Sequence, residues 1–293
     1  MTTTNFISSI LSLRFWRNPD PIVAVLPMTG VIGGTGRLGR GLNLQKLAPM
    51  LERAFGFRNL AAVALVINSP GGSPVQSALI AGRIRELAAE KDIPVFAFIE
   101  DVGASGGYWL ACAADQIYAN PSSVVGSIGV VSGGFGFVEM LSKLGIERRL
   151  HTSGDKKAML DPFSPEKSSD IKHLKALQRE LHNDFKEMVR ERRFGKLIDD
   201  EKTLFSGAFW SGRKALELGL IDDLGAVRPV ITKTFGDTVK FRTVMRRQRW
   251  FRGYEGLSLW RELEISGESL GSDFSAGLVH ELEERAEWSK FGL

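Results

Sequence analysis

The sequence of 293 residues is poor in cysteine, in net charge and in long apolar runs. Its one cysteine, Cys112, has no partner, which excludes a structural disulfide and a cysteine-ligated metal site within one chain. The formal net charge of +4 is too small to indicate a nucleic-acid partner, and we expect none. No apolar run reaches the roughly 20 residues that a membrane-spanning helix needs. With 43% apolar and 25% charged residues, the composition is that of a globular chain of one or two domains.

Residues 1–21 form a leader that lacks the features of a cleavable secretory signal. It has no basic segment ahead of an apolar core and no small-residue cleavage site. Apolar residues, Arg14 and Arg17 precede the first acid, Asp20, a pattern typical of an amphipathic helix in a membrane interface. A short helix that packs on a neighbouring subunit is the alternative. We therefore predict a protein without a spanning helix, either peripheral to a membrane or cytoplasmic.

The segment 240–252, KFRTVMRRQRWFR, carries six basic residues, three aromatic residues and no acid. Such a patch suits anionic lipid headgroups or another polyanion, while a basic strand folded against the domain is the alternative. We predict that residues 237–293 form a basic and aromatic appendage, with helical structure, after a domain that spans residues 22–236.

Apolar strands alternate with amphipathic helices along this domain. Strands are predicted at 22–28, 61–68 and 94–100, with helices at 43–55 and 73–90 between them. This alternation predicts an α/β fold with a largely parallel sheet. Further predictions are short strands around 116–120, 126–131 and 147–152, and helices at 103–114, 137–145, 165–193, 212–218 and 226–235. The long charged helix 165–193 carries an apolar stripe that is typical of a core or a subunit contact.

Two glycine-rich turns, INSPGGSP (67–74) and EDVGASGGYW (100–109), each follow a buried strand. Ligands gather beyond the carboxyl ends of parallel strands, so both turns should meet at one crevice. Gly71 and Gly72 let a backbone N–H face that crevice without a side chain in the way. Ser105 stands at a strand-to-helix corner beside the N–H of Gly106, which is the arrangement of a nucleophile next to an oxyanion hole.

A serine hydroxyl needs a base before it becomes a good nucleophile. None of the four histidines lies in a glycine-rich turn. His173 and His182 lie in the long charged helix, where a solvated surface position is predicted, and His151 remains a reserve candidate. A lysine can serve instead when burial lowers its pKa, and the segment HTSGDKKAMLDPFSP (151–165) offers Lys156 and Lys157.

Four segments, INSPGG, ASGGYWLACAADQIYANPSSVVGSIGV, SGDKKAMLDPFSP and ALELGLIDDLG, resemble the signal peptide peptidase A family of serine proteases. That family belongs to the Clp protease/crotonase superfamily, and the resemblance runs from about Ile22 to Gly236. It implies a Clp protease/crotonase-like spiral of repeated β-β-α units. It also implies a Ser-Lys dyad, with Ser105 as nucleophile and Lys157, three residues after Gly154, as general base.

The same resemblance implies the supporting groups of the site. The oxyanion donors are the backbone N–H of Gly106 and of Gly71, which we prefer over Gly72. Ser127 matches a position that helps to hold the lysine, and Lys156 is predicted to be solvated. No metal and no cofactor are expected.

The resemblance further implies peptide substrates, assembly and location. The expected substrates are short hydrophobic peptides such as signal peptide remnants. A homo-oligomer is expected, such as an octameric ring, with Lys157 contributed across a subunit interface. Attachment to a membrane surface is also expected.

Two other interpretations stay open. A crotonase-like CoA thioester enzyme also uses paired backbone N–H groups, but it needs neither Ser105 nor Lys157, and the turns lack an acidic pair for proton transfer. A catalytically silent scaffold that recruits a membrane partner through its basic segment is the second alternative. The presence of both dyad residues argues against it.

Overall fold

The computed structural model describes residues 20–33, 41–198, 200–245, 286 and 288–291. The predicted interfacial helix of the leader and most of the predicted appendage lie outside these residues. None of the helices in the described part of the chain is long and apolar enough to cross a membrane.

The described strands form one sheet whose pairings are parallel except for β5 with β6. The strands are β1 (Ile22–Thr29), β2 (Leu60–Ser69), β3 (Val95–Ala104), β4 (Gln116–Ala119), β5 (Val124–Gly126), β6 (Phe209–Ser211), β7 (Asp223–Leu224) and β8 (Lys240–Thr243). The order is β6-β5-β3-β2-β1-β8, and β4 pairs with β3 and β7. The predicted α/β fold with a largely parallel sheet is confirmed. Strand β8, from the segment predicted as an appendage, is part of this sheet.

The helices connect these strands much as the hydrophobic periodicity predicts. They are α1 (Leu44–Phe55), α2 (Pro74–Lys91), α3 (Gly106–Ala111), α4 (Val138–Lys143), α5 (Ser168–Arg192), α6 (Glu201–Leu204), α7 (Gly212–Glu217) and α8 (Val227–Phe235). Asn43 caps the start of α1, and its side chain accepts a hydrogen bond from the N–H of Lys46. Helix α2 begins at Ser73, with a proline in its first turn. These caps satisfy N–H groups that a helix start leaves free.

The sheet is covered on both faces. Leu65 and Ile67 of β2 point into the larger apolar cluster, which also contains residues of α1, α2 and α3. Ala62 and Ala64 of the same strand point into a smaller cluster that includes Ile231 of α8. A central strand that is apolar on both faces is typical of a parallel sheet.

Two of the predicted strands are wrong in part or in full. The strand expected at 126–131 is β5, which ends at Gly126, because Gly126 (φ 116°) and Ser127 (φ 53°) both leave the extended conformation. Residues 147–152 form no strand, since nothing in the described chain pairs with this exposed stretch. A strand needs a hydrogen-bonding neighbour, and a short segment such as ERRLHT does not indicate whether one is present.

A charged cluster anchors the end of α5 to the sheet. The guanidinium of Arg193, only 2% exposed, lies 2.7 Å from the Asp222 carboxylate and also donates to the carbonyl of Gly219. Lys196 lies 2.6 Å from the same carboxylate, and the N–H of Ile117 donates to it. Burial acts to raise the pKa of Asp222, but the hydrogen bonds from Arg193, Lys196 and Ile117 outweigh burial and hold the pKa below its usual value.

Residues 131–167, which we call the arm, are held together by their own contacts. The N–H of Phe137 donates to the carbonyl of Pro162 at 2.7 Å, and the rings of Phe137 and Phe163 stack 5.4 Å apart. Helix α4 within the arm buries none of its residues. Val131 and Phe135 are each 81% exposed. The arm is therefore an ordered but solvated extension of the sheet domain.

The apolar stripe of α5 is buried at the carboxyl end of the helix and exposed toward its amino end. Only Phe185 and Val189 are buried, whereas Leu177, two turns earlier, is 46% exposed. The carboxyl half of the helix therefore belongs to the core, and the amino half continues the exposed apolar surface of the arm.

Candidate active site

Ser105 occupies the corner between β3 and α3 in a strained conformation. Its φ of 51° and ψ of −120° lie in a region that residues other than glycine rarely adopt. Its N–H donates to the carbonyl of Gly126 at 2.8 Å, and its carbonyl accepts from the N–H of Trp109 at 3.0 Å. The side chain makes no capping hydrogen bond. The backbone thus holds the corner rigidly, and the hydroxyl is left available.

The first glycine-rich turn packs directly against this corner. Gly71 has a φ of 110°, and a Cβ at this position would lie 2.7 Å from the Cβ of Ser105 and 2.9 Å from the nitrogen of Gly106. Only a residue without a side chain fits there. The structure therefore brings Gly71, Ser105 and Gly106 together at the carboxyl ends of β2 and β3.

The N–H of Gly71 already has a partner. It donates to the hydroxyl of the fully buried Ser69 at 3.2 Å. Gly72, which the sequence analysis ranked second as an oxyanion donor, lines the open cleft beside Ser105. To stabilise an oxyanion, the N–H of Gly71 would have to leave the Ser69 hydroxyl and donate to the oxyanion instead. Gly72 already borders the space where a substrate would lie.

A cleft of about 660 Å³ opens above Ser105. Its lining includes Ser127, which has a φ of 53° and donates its N–H to the carbonyl of Ala208 at 2.7 Å. Phe291, near the end of the sequence, also lines it and packs edge-to-face against Phe209 at 5.2 Å between ring centroids. The structure therefore places Ser105 and Ser127 in one cleft.

A smaller recess of about 20 Å³ adjoins Ser105. Its apolar lining includes Trp109, Leu181 and Phe185. The rings of Trp109 and Phe185 stack 4.8 Å apart and join α3 to α5. The recess offers a place for a small apolar side chain next to the serine hydroxyl.

Lys157 lies apart from this cleft. It is an exposed residue of the arm, its N–H donates to the carbonyl of Gly154 at 3.1 Å, and it is not among the residues that line the cleft. Lys156 is exposed in the same turn. A single chain thus assembles the predicted nucleophile and oxyanion donors but does not bring the predicted base to them.

His182 is the main residue that sequence reasoning misplaced. It was predicted to be a solvated surface residue, yet it is half-buried, lines the cleft and has its Nε2 atom 3.1 Å from the carbonyl oxygen of Ile128. Helical periodicity identifies the faces of α5 but not which residues its carboxyl half packs against. No local signal in the sequence therefore indicated that His182 lies in the cleft. The other two candidate histidines, His151 and His173, are exposed.

Burial alters two titratable groups near the site. Burial lowers the pKa of His182, and Lys186 acts in the same direction, against hydrogen bonds to the backbone of Ile128 and Phe205. Burial also raises the pKa of the Cys112 thiol to about 12, so this cysteine is not a nucleophile at neutral pH. Among the described residues, no group of three or more His, Cys, Asp or Glu side chains could hold a metal ion.

Comparison with known proteins bears on the same segments. Peptidase family S49 matches residues 88–237, which include Ser105, Ser127 and Lys157. A putative signal peptide peptidase SppA of Enterococcus faecium is 31% identical over 211 residues, 69% of this chain and 60% of that protein. A putative protease of Synechocystis is 33% identical over 207 residues, 69% of this chain and 69% of that protein.

A longer relative is more similar in sequence. A Brucella abortus protein named Na(+)/H(+) antiporter NhaA is 48% identical over 283 residues, 96% of this chain. The chain spans only 38% of the length of that protein. The family match covers about half of the chain, and the Synechocystis protease aligns over two thirds of its own length. The chain therefore belongs to peptidase family S49, as an SppA-like member.

Proposed function

We propose that the chain is a serine endopeptidase that cleaves short hydrophobic peptides, such as signal peptide remnants, through a dyad of Ser105 and Lys157. The observation that carries the proposal is the strained corner at Ser105. Its hydroxyl has no capping partner, it borders an open cleft, and the N–H of Gly106 follows it directly. A protein stores strain at such a position when the exposed side chain has a task.

The reaction follows from these groups. The Oγ of Ser105 attacks the peptide carbonyl while the neutral amine of Lys157 takes the hydroxyl proton. The tetrahedral oxyanion accepts hydrogen bonds from the N–H of Gly106 and from the Gly71–Gly72 turn, each worth roughly 100- to 1,000-fold in rate. The lysine then gives its proton to the departing amine. Water, deprotonated by the same lysine, hydrolyses the ester on Ser105.

The base is proposed to come from a second copy of the chain. Lys157 lies in the arm, outside the cleft of its own chain, and the arm also exposes the apolar side chains of Phe135 and Leu144. Apolar side chains this exposed are typical of a subunit contact. A homo-oligomer, such as an octameric ring, would bury this surface and remove water from the lysine amine, which favours the neutral form. Ser127, in the cleft, would then help to hold that amine.

The substrate preference rests on the recess beside Ser105. Trp109, Leu181 and Phe185 form an apolar lining there. Such a lining favours a small apolar side chain before the scissile bond.

Attachment to a membrane surface rests on the start of the basic segment, where Arg242 of β8 is exposed. Lys240, two residues earlier, lies 2.7 Å from the Asp20 carboxylate.

The decisive experiment combines a labelled probe with subunit mixing. A fluorophosphonate should modify Ser105 in the wild type and nothing in Ser105→Ala. Ser105→Ala and Lys157→Ala chains should each be inactive on fluorogenic hydrophobic peptides. Co-assembled from a mixture, they should recover activity because one cleft then holds an intact serine and an intact lysine.

Each contrary result points to a different failure. No recovery despite proven co-assembly contradicts a base supplied by a second copy. No labelling of Ser105 in the assembled wild type, in detergent and across pH, contradicts the peptidase proposal. That outcome favours the silent scaffold or the CoA thioester enzyme.

A further inference from the structure

The ladder between β5 and β6 stops at the edge of the Ser105 cleft. The antiparallel pairs run from Val124 with Ser211 to Gly126 with Phe209. One more backbone hydrogen bond follows, from the N–H of Ser127 to the carbonyl of Ala208 at 2.7 Å. Beyond it the two segments stay close, since a Cβ on Gly129 would lie 3.1 Å from the Cα of Gly207. Both segments line the cleft.

Where the backbone hydrogen bonds between β5 and β6 end, the imidazole of His182 makes the next contact. Its Nε2 lies 3.1 Å from the carbonyl oxygen of Ile128, 54 residues away in sequence. Because a carbonyl oxygen only accepts, Nε2 is the donor. The ring also lines the cleft together with Ser206 and Gly207 of the opposite segment. His182 is thus bonded to one of the two backbone segments that border the cleft and lines the cleft with the other.

The position of the ring is set by the protein core. One turn after His182, Phe185 is buried and stacks on Trp109, and Val189 is buried a further turn along. Trp109 itself lies in α3, the helix that follows Ser105. The nucleophile corner and the imidazole are therefore held by the same packing.

We propose that His182 is a positioning residue, which holds segment 127–131 against segment 205–208 and so fixes the backbone along which a peptide substrate lies in the cleft. This inference rests on the proposed peptidase function. His182 acts through the backbone at Ile128 and not on the reacting atoms. We expect its loss to weaken substrate binding more than the chemical step.

Two substitutions separate the hydrogen bond from the bulk of the side chain. His182→Leu keeps a similar volume and removes both ring nitrogens. His182→Gln keeps an N–H donor at nearly the reach of Nε2. His173→Leu, in the exposed half of the same helix, is the matched control. Amide hydrogen exchange of the assembled protein is measured first, then KM and kcat on a fluorogenic peptide.

An ordinary hydrogen bond changes an equilibrium by about two- to tenfold. We therefore expect His182→Leu to speed exchange in 127–131 and 205–208 by about that factor and to raise KM by a similar factor, with kcat changed less. His182→Gln should restore both to near wild type, and His173→Leu should alter neither.

The inference is overturned if His182→Leu leaves exchange in both segments unchanged, or if His182→Gln is as impaired as His182→Leu. The exchange measurement needs no activity, so an inactive wild type would contradict the peptidase proposal without affecting this test. An active wild type with unaltered exchange in His182→Leu would contradict the positioning role alone.

Discussion

The Ser105 corner and the arm differ in how the chain holds them. The corner is enclosed by buried residues of β2, β3 and α3, and Gly71 packs on it so closely that a single methyl group would collide. The arm is held by local contacts such as Phe137 with Phe163, and Phe135 is 81% exposed. The difference teaches that one chain assembles the proposed nucleophile and its proposed donors but presents the proposed base on an exposed surface.

The largest expected effect concerns the proposed base in the arm, Lys157. Lys157→Ala should lower kcat/KM by roughly 100- to 10,000-fold, because a general base contributes about that much. Lys156→Ala, its exposed neighbour, is the matched control and should stay near wild type. Hydrolysis of a fluorogenic peptide at equal concentrations of assembled protein measures both. Equal losses of kcat/KM in the two variants would contradict the choice of Lys157 over Lys156 as the general base.

The next effect tests the corner. Gly71→Ala should lower kcat/KM by roughly 100-fold, because the new Cβ displaces Ser105 and Gly106 from the oxyanion geometry. Gly82→Ala is the control, since a Cβ at Gly82 meets nothing within 4 Å, and it should keep full activity. Peptide hydrolysis is measured together with thermal unfolding. An active Gly71→Ala would show that the corner is less rigid than its packing indicates.

A third prediction concerns the charged cluster that anchors α5 behind the corner. Asp222→Asn leaves the buried Arg193 without its counter-charge and should lower the free energy of unfolding by about 3 kcal/mol at pH 7. Because the pKa of Asp222 is lowered in the folded protein, its contribution is present above the ordinary carboxyl pKa of about 3.9 and is lost as the pH falls through the lower folded value.

Urea unfolding at pH 7 and at pH 3 measures that contribution. The difference between wild type and Asp222→Asn should shrink at the lower pH. Glu217→Gln breaks an exposed ion pair with Lys214 and should change the free energy of unfolding by at most about 0.5 kcal/mol. If the free energy of unfolding differs between wild type and Asp222→Asn by the same amount at both pH values, the proposed charge dependence is contradicted.

The smallest expected effect concerns the recess between the Ser105 corner and α5. Leu181→Ala enlarges the lining beside Ser105 and should shift the ratio of kcat/KM for large over small apolar residues by about tenfold toward the large ones. Leu177→Ala, one turn earlier and outside the recess, should leave the ratio unchanged. A panel of peptides that differ only before the scissile bond measures it. The same shift in both variants would place the specificity elsewhere.

Local patterns predicted most of the sheet domain. The strands β1, β2 and β3 and the helices α1 and α2 follow from apolar periodicity and from caps such as Asn43, which act over a few residues. The strand-to-helix corner at Ser105 was also predicted, because glycine and other small residues let the chain turn sharply between an apolar strand and an apolar helix. The strand expected at 147–152 was wrong because its formation depends on a partner strand that the pattern does not contain.

The sequence by itself determined the α/β fold, the glycine-rich turns and the residue types of the proposed dyad, since these depend on short-range sterics, capping and hydrophobic period. Only the tertiary structure decided that His182 bonds to Ile128 beside the cleft, that Ser69 holds the N–H of Gly71, and that Lys157 lies outside the cleft of its own chain. The physical reason is distance along the chain. The contact of His182 with Ile128 joins residues 54 positions apart, and packing between elements, which no local pattern encodes, sets such contacts.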